Sequence, residues 1–175
     1  MWAWLGGCGG GAAACEKAVL ADLQALKDQQ VVLLAEFDDV ADAQPHPELV
    51  PAPSGSDDWG EGNAGFQRLK WRPKGKARAQ YSSSAEYPNF RVEAFANCGD
   101  KEWALYVATQ DKSPEKVWSL EEEAAEIYNE SFERARAHYL ATHGKDADVA
   151  TLRMIQGTAV RGIADTELTV KALTP

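Results

Sequence analysis

The sequence predicts an α+β protein, with a long N-terminal amphipathic helix packed on a small antiparallel sheet and a C-terminal helical segment. Apolar residues recur at helical spacing from Ala14 to about Asp39, alternating apolar segments follow between residues 76 and 109, and helical spacing returns after Ser119. The chain has 175 residues, of which 45% are hydrophobic. That is enough apolar material for one core.

The first helix is predicted because its apolar residues recur every three or four positions, with an interruption only at Gln30. Good helix formers fill the remaining positions, and Asp22 falls on the predicted charged face. The predicted sheet-facing residues are Val19, Leu20, Leu23, Leu26, Leu33, Leu34 and Phe37.

The segment 42–65 contains four prolines and four glycines and is predicted to be a long surface loop. A short helical turn is expected around Phe66, Leu69 and Trp71, followed by a tight turn at Pro73 to Gly75. Alternation then predicts strands at residues 76–83, 90–96 and 103–109. Because their connections are short, they should form an antiparallel meander.

The last third of the chain is predicted to be helical. Ser119 followed by Glu122 has the form of a capping box, and the helix should end near Gly144. Asp146 or Asp148 is expected to cap another helix, and residues 166–173 are expected to form a strand or a frayed tail. The predicted inward side chains are Leu120, Ala124, Ile127, Tyr128, Phe132, Ala135 and Tyr139, then Val149, Leu152, Ile155, Ala159 and Ile163.

Three regions follow from these patterns. Residues 1–15 form an uncharged leader or the remnant of a membrane segment, residues 16–112 carry the helix and sheet, and residues 113–175 form a helical extension. No apolar run reaches the roughly 18 residues that a spanning helix needs. We expect an envelope or extracellular location if the true start lies upstream, and a cytoplasmic one if Met1 is the true start.

The formal net charge is −9 and the pI is near 4.8, which argues against non-specific adhesion to nucleic acid or anionic lipid. A local basic series nevertheless occupies every second position of one segment, and on an extended hairpin it would lie on one side. Such a surface is a candidate contact for phosphate backbones or acidic polysaccharide. The alternative is a solvated face paired with Glu121, Glu122, Glu123 and Glu126. The series consists of Arg68, Lys70, Arg72, Lys74, Lys76 and Arg78.

The opening stretch has two further interpretations. Gly7 to Ala12 fits the dinucleotide pattern G-x-G-x-x-A and precedes a helix, but the predicted element order lacks the alternating strands and helices of that fold. Leu5-Gly6-Gly7-Cys8 is similar to a lipoprotein cleavage box, which makes Cys8 a candidate lipidation site, although no Lys or Arg precedes it.

No catalytic or metal-binding constellation is predicted. Ser113 and Lys116 fit S-x-x-K, but the companion motifs are missing, and the three histidines are dispersed. The three cysteines lack metal-ligand spacing, and their odd number leaves at least one thiol free, lipidated or paired between chains. We therefore expect no enzyme activity, cofactor, metal or small-molecule substrate.

Two phrases carry a resemblance to a known family. The first phrase lies in the predicted helix and consists of Leu23, Ala25, Leu26, Ala35, Glu36 and Asp38. The second phrase follows the loop and consists of Phe66, Leu69, Trp71, Pro73, Gly75 and Tyr81. Together they resemble the type IV pilin-like proteins of myxobacteria and related deltaproteobacteria over about residues 16–110. The resemblance implies a helix on an antiparallel sheet, in a subunit or accessory of a cell-surface filament that contacts other filament or envelope proteins. The family's leader and hydrophobic run are not present, so a degenerate or truncated subunit is expected.

Overall fold

The computed structural model describes residues 11–52, 54–57, 59–99, 102–120 and 122–173, and it confirms the α+β fold. A long N-terminal helix packs on a five-stranded antiparallel sheet, and helices follow at the C-terminal end. The elements are α1 (Ala12–Phe37), β1 (Ala43–His46), α2 (Ala64–Leu69), β2 (Gln80–Glu86), β3 (Asn89–Gly99), β4 (Glu102–Thr109), β5 (Glu115–Leu120), α3 (Glu122–His143) and α4 (Val149–Leu173).

The sheet is the predicted meander with one more strand at each edge. Its order is β1-β2-β3-β4-β5, and every neighbouring pair is antiparallel. The prediction of an unstructured loop was wrong at β1, because Pro45 is tolerated in an edge strand. The capping-box prediction was also wrong, because Ser119 pairs with Ala104 inside β5.

Helix α1 covers one face of the sheet as predicted. Val19, Leu23 and Leu26 are fully buried. Gln30, which interrupts the apolar pattern, is also fully buried, and its amide group bonds the backbone of Ala41 and the hydroxyl group of Ser83. A buried amide with its partners satisfied ties α1 to the chain around β1 and to β2.

The predicted apolar face of α1 does not extend to its last turn. Phe37 is 67% exposed, although it continues the sheet-facing stripe. Asp38 follows in the left-handed conformation, and its N–H group bonds the Leu34 carbonyl, which ends the helix.

Helix α4 covers the opposite face of the sheet, so the sheet lies between two helical layers. Leu152 is buried as predicted, and Val160 and Ala164 are buried as well, whereas the predicted inward residues Ile155 and Ile163 are more than a third exposed. The prediction was wrong for these two because the helix approaches the sheet through a glycine. A Cβ atom on Gly157 would lie 3.1 Å from Val50 Cγ2 and 3.5 Å from Trp103. The prediction of a strand or a frayed tail at residues 166–173 was also wrong, because α4 continues to Leu173.

The turn between α3 and α4 follows the predicted signals. Gly144 has a φ of +68°, and Asp148 accepts the N–H of Thr151 at 2.7 Å, which caps α4. Asp146 instead binds Arg136 of α3. Positions 124–132 belong to α3, and the burial of their predicted inward side chains is outside what the structure describes.

Candidate functional site

The prediction that the basic series lies on an extended hairpin was wrong. The series runs from the last turn of α2 along an irregular segment that precedes β2. Arg68 is in the last turn of α2, Lys70 has a φ of +50°, and regular strand pairing begins only at Gln80. The predicted alternation survives locally, because Trp71 and Pro73 are buried while Arg72 and Lys74 are exposed. The cations therefore still lie on the solvent side of the segment.

Four of the six cations are near acidic groups, and two of these form ion pairs. Arg68 forms an ion pair with Asp39, and Lys76 Nζ lies 2.8 Å from Asp57 Oδ2. Arg78 and Lys74 act on the carboxylate of Asp22 through their charges. The acids are thus aspartates from α1 and the loops, and the predicted glutamates of α3 lie outside the described side chains.

Three neighbouring cations form a row whose members are not held in ion pairs in the described part of the chain. Lys70, Arg72 and Lys74 are exposed, and within the described ranges none of them forms an ion pair. We call these three residues the basic row.

An aromatic cluster lies beneath the basic row. The ring centroids of Trp59 and Trp71 are 5.4 Å apart in an edge-to-face arrangement, and Phe66 and Tyr81 extend the contact. His46 packs edge-on against Trp59 at 4.5 Å, and its Nε2 lies 2.8 Å from the Trp59 carbonyl oxygen. Trp59 was not singled out from the sequence, because this residue lies in a glycine- and proline-rich segment that was predicted to be a surface loop. The one available signal was that a large aromatic residue stands alone in such a segment.

A groove of about 330 Å³ opens between the cluster and the basic row. Lys70 and Arg72 supply positive charge at this groove, while the indole groups of Trp59 and Trp71 are only 6% and 7% exposed. The residues that give the groove its chemistry are Trp59, Glu61, Gln67, Lys70, Trp71 and Arg72. The arrangement suits binding of an anionic, hydroxyl-bearing group, since it offers cations, an amide and apolar edges together.

Asp22 fastens the basic segment to α1. Its carboxylate accepts the backbone N–H of Lys74 and the hydroxyl group of Tyr81, both at 3.1 Å. The prediction of an exposed Asp22 was therefore wrong, because the residue is 8% exposed and its carboxylate has two donors. Burial raises the pKa of Asp22, and these hydrogen bonds and the charges of Arg78 and Lys74 oppose the rise. Burial also raises the pKa of Tyr81 well above its usual value. We interpret the pair as a structural anchor.

Replacing Asp22 tests this anchor. Asp22→Ala should lower the free energy of unfolding by about 2–3 kcal/mol, because the buried Tyr81 hydroxyl and the Lys74 N–H lose their acceptor. Asp22→Asn keeps the shape and avoids the buried charge, so its stability at pH 7 should be within about 1 kcal/mol of wild type. Urea unfolding of both variants gives the comparison, and equal losses in both would contradict the anchor.

The raised pKa of Asp22 also predicts a pH dependence. Between the ordinary carboxyl pKa near ~4 and the raised value, the folded state binds more protons than the unfolded state. The free energy of unfolding of wild type, relative to Asp22→Asn, should therefore fall as the pH rises through that window. A difference that is constant or increases with pH would show that burial does not dominate the environment of Asp22.

A disulfide joins Cys15 near the start of α1 to Cys98 in β3. Their Cα atoms are 5.4 Å apart, and the two residues are separated by 83 positions in the chain. Of the interpretations left open for the three thiols, this pairing leaves only Cys8 to be assigned, and Cys8 lies outside the described residues.

The remaining motifs do not form a site in the described part of the chain. Gly7 to Gly10 lie outside the described residues, α1 begins at Ala12, and the sheet contains only antiparallel pairs rather than the parallel strands of a dinucleotide-binding fold. Lys116 of the S-x-x-K pattern lies in β5, where it pairs with Glu16 at 3.2 Å. Among the described residues there is no group of three or more potential metal ligands.

A second cavity, of about 290 Å³, lies between α4 and the chain near Glu48. Arg161 lines it, donates to Glu93 at 2.7 Å and lies over the ring of Phe95. Its Nη1 is buried without a hydrogen-bond partner in the described part, and the aromatic face supplies the nearest compensation. We interpret Arg161 as the polar contact that fixes α4 on the sheet.

Comparison of the chain with protein-family models, with curated proteins and with solved structures found no match. None of the helices in the described ranges has both the length and the apolar character needed to cross a membrane.

Proposed function

We propose that the chain is a non-enzymatic, pilin-like protein of the cell envelope or cell surface, which serves as a subunit or accessory of a filament and acts through contacts. One observation carries the proposal. A 26-residue N-terminal helix packs on an antiparallel sheet and is joined to it by the Cys15–Cys98 disulfide. This is the architecture that the resemblance implies, and it presents a rigid surface to partners.

The disulfide supports a location outside the cytoplasm. Structural disulfides persist in the periplasm, on the cell surface and in secreted proteins, whereas cytosolic thiols are kept reduced. The bond joins the helix to the strand on which it packs, so it belongs to the folded core rather than to a flexible surface. An exported protein is the class in which such a bond would form.

The surface of the basic segment supports action by contact. Its cations lie on the solvent side, while Trp59, Phe66, Trp71 and Tyr81 hold the segment against the sheet. Asp22 fixes the same segment to α1. A charged surface held on a rigid base suits recognition, because little conformational entropy is lost on binding.

Fractionation of the source organism tests this proposal. Cells are sheared, and the surface filament fraction, the membranes and the cytosol are probed with an antibody against the chain. We expect the chain in the sheared fraction or the envelope, with immunogold label along filaments. A chain found only in the cytosol of unsheared and sheared cells would overturn the proposal. A cytosolic enzyme blotted in the same fractions controls for lysis.

A second candidate is an envelope lipoprotein anchored at Cys8. The observation that favours it is the Cys15–Cys98 bond, which leaves Cys8 as the one cysteine of the chain outside that pair. Metabolic labelling with palmitate should then mark wild type and not Cys8→Ser. Labelling that persists in Cys8→Ser, or no labelling of wild type, would exclude this candidate and leave the filament proposal in place.

A further inference from the structure

We infer that the basic row, with the groove beside it, binds the carboxylate groups of an acidic polysaccharide. The inference rests on the proposed function, because it names the ligand of the proposed contact surface. It starts from the distribution of the ion pairs. Of the six cations predicted as a contact surface, Arg68 and Lys76 are paired with aspartates, and Arg78 is half-buried near Asp22.

Lys70, Arg72 and Lys74 therefore supply the exposed charge of this segment that is not held in an ion pair within the described ranges. They alternate with Trp71 and Pro73, which are buried. The three cations lie within five consecutive residues and on the solvent side of the segment, although the backbone here is irregular and Lys70 has a φ of +50°. A short row of cations that are close together in the chain complements a linear polymer that carries repeated negative charges.

The groove adds groups that suit a sugar ring. The Gln67 amide and the Glu61 carboxylate bond hydroxyl groups, and the indole edges of Trp59 and Trp71 contact C–H groups. The indole groups are almost fully buried, so the apolar contact is small and charge dominates. Affinity at one groove should therefore be weak, and an array of subunits would multiply it by avidity.

Two observations favour an acidic polysaccharide over a nucleic acid. Duplex nucleic acid carries one negative charge per about 1.7 Å of its length, and proteins that bind it neutralise several phosphates at once. Here the row has three exposed cations, and a chain of net charge −9 repels a polymer more strongly the more densely that polymer is charged. Structural disulfides also belong to the compartments in which cells meet polysaccharide, and Cys15 and Cys98 form one.

The test measures binding of the purified full chain to polygalacturonate, with neutral dextran and oligo(dT) as comparison polymers. The row variant is Lys70→Gln/Arg72→Gln/Lys74→Gln. The control variant is Lys17→Gln/Lys112→Gln/Lys145→Gln, which changes three exposed lysines and gives the same net charge. A charge-conserving control, Arg68→Gln/Asp39→Asn, removes one of the paired cations together with its acid. Thermal unfolding of each variant shows whether its fold is retained.

We expect polygalacturonate to bind wild type and to bind the row variant about tenfold more weakly or worse, at roughly twofold for each lost exposed contact. Both controls should stay within about twofold of wild type, and added salt should weaken binding of wild type. The inference is overturned if wild type binds no polygalacturonate, binds dextran or oligo(dT) as tightly, or is weakened equally by the row and the net-charge control. These results are independent of where the chain lies in the cell, so the proposed function is judged separately.

Discussion

Removal of the Cys15–Cys98 disulfide should lower the free energy of unfolding by about 4 kcal/mol. The bond closes a loop between residues 83 positions apart, for which the chain-entropy relation gives about 4.5 kcal/mol, and native disulfides of this kind typically contribute about 2–5 kcal/mol. Urea unfolding of the variant Cys15→Ala/Cys98→Ala measures this loss. In thermal unfolding, the midpoint temperature of the same variant should fall by about 8–16 °C for a chain of this length.

The third cysteine provides the matched control. Cys8 takes no part in this bond, so Cys8→Ala keeps the bond and should not show the fall in the unfolding midpoint that the double variant shows. A reductant should destabilise wild type and Cys8→Ala equally and leave the double variant unchanged. A double variant as stable as wild type would show that the disulfide does not hold α1 on β3.

Substitution of Gly65 by alanine should have the second largest effect, with a loss of about 3 kcal/mol. Gly65 lies in the first turn of α2, where a Cβ atom would overlap the carbonyl oxygen of Asp42 and come within 2.5 Å of Ala43 Cα. Both are backbone atoms beside or in β1, so no rotation of a side chain relieves the overlap. Overpacking typically costs about 1–3 kcal/mol and occasionally more, and an overlap with two backbone atoms places this site above that range, at about 4 kcal/mol, against a gain of about 1 kcal/mol in helix propensity.

A helical glycine elsewhere gives the control for this substitution. Gly162 lies in α4 with no atom within 4 Å of an added Cβ, so Gly162→Ala should stabilise the protein by about 0.5–1 kcal/mol. For Gly65→Ala, near-ultraviolet circular dichroism should also change, because α2 carries Phe66 of the aromatic cluster. If both variants gained stability, the close contact between α2 and the chain at Asp42 and Ala43 would be refuted.

The order of elements was predictable from periodicity where one pattern dominated. Val19, Leu23 and Leu26 recur at helical spacing and are buried, and the alternation of β3 and β4 follows the two faces of the sheet. Such patterns are local, and each needs only that one side of the element meets the core.

The errors came from interactions that no local pattern records. Gln30 and Asp22 are polar, yet both are buried because their partners are Ala41, Tyr81 and other groups distant in the sequence. Burial of such groups depends on partners supplied by the tertiary structure.

Two strands were missed because local turn chemistry was stronger than their strand pattern. Pro45 favours a loop, but an edge position needs fewer donors, and β1 forms there. Ser119 has the spacing of a helix cap, but Trp118 and Leu120 on either side of it are buried in the sheet. The buried face of α4 was predicted wrongly because Gly157 has no side chain and so does not contribute to an apolar periodicity. It is nevertheless the residue at which α4 comes close to Val50 and Trp103.

The candidate site was predicted in part. The basic series and its solvent-facing alternation follow from the sequence. Which of its cations form ion pairs does not, because the partners Asp39 and Asp57 come from other parts of the chain. The contribution of Trp59 to the groove was also invisible, since its loop folds back over α2.

The chain is proposed to be exported, and a disulfide joins its helix α1 to the sheet. The most direct test of this combination is to measure how many of its thiols are free in its own cells. Cells are quenched in acid, free thiols are tagged with a maleimide polymer before or after reduction, and the chain is detected by immunoblotting. We predict at most one tag before reduction, on Cys8, and additional tags on Cys15 and Cys98 after it. Three tags before reduction would contradict the account, because the bond would then be absent where the protein works.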